Sequence, residues 1–141
     1  MSKAIVRVLA DAVLVAAPEY AGGVAGVVKN AFDWVVGAGS MYRKPIGVIS
    51  AGTSGGHHAR QTLIQTLTWQ GGWVIGELGI AAPRTKSDDA GRISDPATLT
   101  AIAALAERVL AGASTPNEEL AARAGEVARA WAIDPVHVAP A

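Results

Sequence analysis

Three short runs of consecutive apolar residues punctuate the first half of the chain, and between them apolar positions recur every three or four residues. The runs are "AVLVAA" at 12–17, "PIGVISA" at 45–51 and "WVIGELGIAAP" at 73–83. Continuous runs of small and branched residues, without polar alternation, suit strands buried on both faces, as in a parallel sheet. Each run stops at a breaker: Pro18, the "GTSGG" segment, and Pro83. Between the first two runs, Val24, Val27, Val28, Ala31, Phe32 and Val35 predict an apolar helical face that closes at Gly37. Between the second and third, Ala59, Leu63, Ile64 and Leu67 do the same ahead of Gly71 and Gly72. Strand, helix, strand, helix, strand implies parallel pairing, right-handed crossovers and helices on both faces of an α/β sheet.

Past a polar loop at 83–96, Leu99, Ile102, Leu105, Val109 and Leu110 predict another helix, with Ser94 or Asp95 as its N-cap. An Ala-rich amphipathic helix follows "GASTP", carrying acids early and arginines late, in accord with the helix dipole. The tail "IDPVHVAPA" is expected to be loosely held. The reading divides the chain into an α/β domain at 1–112 and a C-terminal helix and tail at 113–141.

Composition narrows the function classes. At 141 residues with 50% hydrophobic and 17% charged positions, the chain has the apolar content to bury one core. A formal net charge of zero leaves no basic field for gathering nucleic-acid phosphates. The absence of cysteine excludes disulfides, thiolate nucleophiles and cysteine metal sites, and fits a reducing cytoplasm. Arg7 and Asp11 interrupt the N-terminal apolar stretch, so no membrane span and no signal-peptide pattern is read there.

In open α/β sheets, ligands bind beyond the carboxyl ends of the strands. Two such ends are unusual. "APEYAGGVAG" places Gly22, Gly23 and Gly26 beside Tyr20, so backbone can approach a flat ligand next to an aromatic surface. "SAGTSGGHH" at 50–58 offers the amides of a glycine-rich turn at a helix start, suited to an anion or an electron-rich ring edge.

These segments carry a resemblance to the NADPH-dependent FMN reductases of flavodoxin-like fold. That family has a Pro-Glu-Tyr-Asn loop, a Lys-Asn-Ala-x-Asp-Trp helix, and a Lys-Pro strand ending in Ser-Ala and a glycine turn. The chain matches with Pro18, Glu19 and Tyr20, then Gly26, Lys29, Asn30, Ala31, Asp33 and Trp34, then Lys44, Pro45, Ser50, Ala51, Gly55 and Gly56. The match runs in order from about residue 12 to about residue 110. It departs at Ala21, Gly23 and Ala25, where the family has Asn, Ser and Pro.

The resemblance implies that Pro18, Glu19, Tyr20 and Ala21 flank an FMN ring, with Ser50, Gly52, Thr53, Gly55 and Gly56 at its pyrimidine side. It implies a reductase in which NADPH gives hydride to FMN, and electrons pass to a quinone, oxygen or free flavin. No catalytic acid or base is required by such chemistry. It also implies a homodimer or homotetramer in which a second subunit covers Trp34. Nothing before Ala12 matches the family's first strand or its Gly-Ser-x-Arg-x-x-Ser phosphate loop, and residues 2–12 resemble instead the helix before the family's third strand. The expected domain is thus N-terminally truncated, with the strand at 12–17 as a sheet edge.

Other readings stand beside this one. The glycines serve equally in a tight strand-to-helix connection, and the missing phosphate loop favours a non-catalytic module that binds a partner. His57 and His58 are adjacent and point about 100° apart on a helix, a poor chelate, so a solvated first turn is the expectation. Arg84 and Lys86 are read as exposed loop charges or as contacts to a nicotinamide-cofactor phosphate, Lys29 and Asp33 as a surface pair, and Trp69 and Trp73 as packing residues. A phosphate site built on "GTSGG" alone lacks the lysine that a Walker-type loop requires.

Overall fold

The computed structural model describes residues 9–138. Strand β1 spans Val13–Tyr20, β2 Gly23–Val24, β3 Pro45–Gly52 and β4 Trp73–Ala81; helix α1 spans Gly26–Val36, α2 His57–Trp69, α3 Pro96–Gly112 and α4 Asn117–Ala130. The sheet order is β2-β1-β3-β4, with β1, β3 and β4 parallel as the three apolar runs predict. One extra residue on β4, between the partners of Ile46 and Gly47, makes a bulge.

Helices cover both faces, again as expected. On one, Phe32 and Val35 of α1 and Leu63, Ile64 and Leu67 of α2 pack on Ile46, Val48 and Val74. On the other, Leu105 and Val109 of α3 and Leu120, Ala121 and Ala124 of α4 pack on Ile49 and Ile75. Trp73 is buried in this second cluster, so it is a core residue. Helix α4 reaches both faces, because Ala128 belongs to the first cluster. It therefore covers the β4 side of the sheet, where an open edge invites unwanted pairing.

The structure changes three details of the sequence reading. β1 continues past Pro18, pairing Pro18 with Ala51, and then folds back so that Glu19 and Tyr20 meet Val24 and Gly23 in the antiparallel β2. A proline is tolerated here because β1 is an outer strand of the parallel sheet. Val24 accordingly lies in β2 rather than in α1. The tail is not loose through residue 138: Ile133 and Val138 are 8% and 3% exposed, and Pro135–Val138 form a 3-10 turn against the core. The helix expected at 2–12 falls largely on residues outside the described range, and residues 9–12 are not helical.

Candidate functional site at the strand ends

The carboxyl ends of β1, β3 and β4 meet at one end of the sheet. Ala21 and Gly22 form a two-residue turn between β1 and β2 with φ of 50° and 72°. Two consecutive positive φ values are what the favoured hairpin turns require. The turn leaves Tyr20 65% exposed beside it. Pro18 and Ala21 are exposed as well, and Glu19 is half-buried.

The β3–α2 connection is held from several sides. The Gly52 carbonyl accepts from Gly55 N at 3.1 Å and from Ala82 N, just past β4, at 3.0 Å. The Gly55 carbonyl accepts from Arg60 Nε at 3.1 Å. Gly56 has φ of 63°, and a Cβ there would lie 2.2 Å from Ser50 Oγ, so only glycine closes this turn over Ser50. Ser50 is 1% exposed and its hydroxyl has no hydrogen-bond partner among the described residues. Thr53 and Ser54 stand exposed at the tip, and their amides find no acceptor among the described residues.

Two side chains tie this connection to its surroundings, and neither role is apparent from the motifs. Glu19 Oε2 accepts from His58 N at 2.8 Å and from Ala59 N at 3.2 Å, so the first loop caps the helix that follows the second. Arg60 pairs with Glu77 of β4, both largely withdrawn from solvent, and its guanidinium lies 5.1 Å from the Trp131 ring centre. A single acid inside the apolar run at 73–83 is the signal that such a partner exists, since buried charges are paired.

His57 and His58 are exposed, as a solvated turn implies, but His57 also stacks on Trp131 at 4.8 Å. The described residues hold no cluster of three potential metal ligands. Arg84 is exposed in the 3-10 turn Pro83–Lys86, and Lys86 is half-buried. Lys29 and Asp33 form the expected pair on α1. Trp34 and Trp69 are 64% and 59% exposed within the single chain. A cavity of about 190 Å³ lies apart from both loops, on the α3 side of β4, between Leu78, Ile80, Thr98 and Ala101.

The geometry is therefore an open shelf, with backbone donors at 53–54 on one side and the Pro18–Ala21 strand end with exposed Tyr20 on the other. No described residue supplies a phosphate grip.

Comparison with known proteins agrees with the shape. A structure of FerB from Paracoccus denitrificans, a flavoenzyme NAD(P)H:(acceptor) oxidoreductase, superposes with a TM-score of 0.51 at 27% identity over 75% of this chain and 60% of that one. The NAD(P)H-dependent FMN reductase ntnL of Nectria sp is 44% identical over 50 residues, 36% of this chain and 24% of that protein. The chain thus spans less than two thirds of either relative's length. The sequence profile of the NADPH-dependent FMN reductases matches residues 8–86, more than half of the chain and the whole of both loops. The fold is flavodoxin-like, and the chain belongs to the NADPH-dependent FMN reductase family.

Proposed function

We propose that this chain is the ring-binding part of an NAD(P)H-dependent FMN reductase. The observation that carries the reading is the meeting of the two family loops at one end of the sheet, joined by Glu19. Pro18, Glu19, Tyr20 and Ala21 line one side of the ring and Gly52 and Thr53 the other, while Gly55 and Gly56, both buried, close the turn behind them rather than meet the ring as the resemblance implies. Ser50 supports the turn from beneath through its packing under Gly56. FMN bound there supplies the hydride-accepting centre that takes reducing equivalents from NADPH and passes them to a quinone, oxygen or free flavin.

The protein's share of the work is positional. The amides of Thr53 and Ser54 orient the polar edge of the ring and donate toward charge that develops on it, at no cost in reorganisation. Tyr20 shields the ring from water on its side. No side chain is assigned as a catalytic acid or base. Arg84, just past β4, is an exposed loop charge, with contact to a nicotinamide-cofactor phosphate as its second reading.

The exposed Val27, Trp34 and Val36 of α1 support a homodimer or homotetramer as the working form. Among the described residues no helix is long and apolar enough to cross a membrane; the cysteine-free composition is the basis for proposing a cytoplasmic setting.

Titration of the chain with FMN, followed by flavin absorbance and tryptophan fluorescence, tests the reading. Binding on the order of micromolar, about −8 kcal/mol, with bleaching on anaerobic addition of NADPH, is the expected result. A folded chain that binds no FMN at high micromolar concentration overturns it and leaves a partner-binding module.

A further inference from the structure

We propose that Glu19 is a positioning residue: its side chain locks the two loops of the proposed flavin site into one unit by capping α2 from outside that helix. The inference rests on the flavin reading and adds a role to the chain's own residues.

Helix α2 begins without a cap of its own. Gly56 precedes it in a left-handed conformation and offers no side chain. The first amides of any helix lack internal partners. Here the need at two of them is met by Glu19, 39 and 40 residues earlier in the chain, through one carboxylate oxygen. An anion on the amides at a helix start makes charge-assisted bonds aided by the helix dipole. Ala59, whose amide donates one of them, is fully buried.

The backbone of Glu19 is meanwhile fixed by its pairing with Val24 in the β1–β2 hairpin. The carboxylate therefore sets the distance between the Pro18–Ala21 loop and the Gly52–Gly56 loop, and a Cβ added at Gly52 would lie 3.6 Å from Glu19 Cβ, so Gly52 faces the Glu19 side chain. A second consequence concerns the ligand. With a carboxylate already seated on His58 and Ala59, the start of α2 repels a phosphate, and the donors left for a ligand are those at Thr53 and Ser54. The start of α2 is thereby closed to an anion, and a ligand is left to the Thr53 and Ser54 amides.

Side-chain length separates the variants. Glutamine keeps the reach and one acceptor, aspartate falls one carbon short, and alanine has neither. In Glu19→Ala, native-state exchange of the His58 and Ala59 amides, measured by NMR without flavin, is expected to accelerate by about tenfold or more. FMN affinity is expected to fall about tenfold in the same variant, with glutamine restoring most of both effects. A residue that only stabilised the fold would lower the melting temperature and leave FMN affinity unchanged where the protein is still folded.

Unchanged exchange at His58 and Ala59 in Glu19→Ala overturns the lock. FMN affinity within about twofold of the parent overturns its role in the flavin site. If the alanine variant does not fold, Glu19→Gln against Glu19→Asp decides by the same two readouts. A parent chain that binds no FMN refutes the flavin reading itself, and the exchange experiment still decides whether Glu19 joins the loops.

Discussion

Ala21 holds a left-handed backbone with φ of 50° at the turn that presents Tyr20. For a residue with a Cβ this conformation costs about 1–2 kcal/mol, and glycine and asparagine are the residues that relieve it. The motif that this chain resembles has asparagine there, so the departure at Ala21 carries a physical cost. Ala21→Gly is expected to raise stability by about 1 kcal/mol and the melting temperature by roughly 2–4 °C, read by thermal unfolding. A loss of stability would show that the turn is held by something other than its φ angles. Ser50 teaches the converse lesson at the same scale. It shares a strand face with Ile46 and Val48, four and two residues back, so alternation alone sends its hydroxyl into the core beneath α2. The motif marks the residue, and the strand period says which way it points.

At the scale of elements, the contrast between α3 and α2 shows when a helix start can be read from sequence. Asp95 stands immediately before Pro96, and its carboxylate accepts from the Thr98 hydroxyl at 2.6 Å and the Thr98 amide at 2.8 Å. These two bonds, the hydroxyl first, hold the Asp95 pKa below its ordinary value of 3.8. Asp88 is lowered in the same direction, by the backbone and then the side chain of Arg92. A depressed carboxylate contributes stability that is present in full above its unfolded value. That contribution is lost as pH falls through the lower folded value. The start of α3 is therefore expected to fray below about pH 4, and Asp95→Asn to flatten that acid limb in denaturation midpoints measured against pH. An acid limb identical in the two proteins would remove Asp95 from the account. The cap of α2 obeys the same physics but comes from Glu19, 39 residues away. A local cap is visible as a short motif, whereas a distant one exists only once the sheet has brought β1 beside α2.

For the whole molecule, the two sides of the sheet are treated differently. α4 covers the β4 side, while β1 is paired outward only at Glu19 and Tyr20 by β2, among the described residues. Leu14 of β1 is 42% exposed, and Val27, Trp34 and Val36 of α1 are 75%, 64% and 54% exposed. Val27 and Trp34, seven residues apart, share one face of α1, and exposed apolar groups on one face are what a second subunit would cover. The homo-oligomer proposed above uses it. Sedimentation velocity of the parent chain at micromolar concentration is expected to give a dimer or larger, and Trp34→Glu to shift it toward monomer. A parent chain that sediments as a monomer would refute the oligomer.

The sequence by itself determined the order of the three parallel strands and the helices between and after them, the covering of both sheet faces, and the two glycine-bearing loops whose motifs name the family, but not the short antiparallel β2. These depend on periodicity and on residues close together in the chain, which local sterics and burial translate directly into structure. Tertiary structure alone decided that Glu19 caps α2, that Arg60 and Glu77 pair beside the glycine turn, and that Trp131 stacks on His57 and holds the C-terminal segment against it. Each of these joins residues at least 17 apart. Such contacts have no period and no spacing rule, because the distance that matters is set by how the helices pack across the sheet.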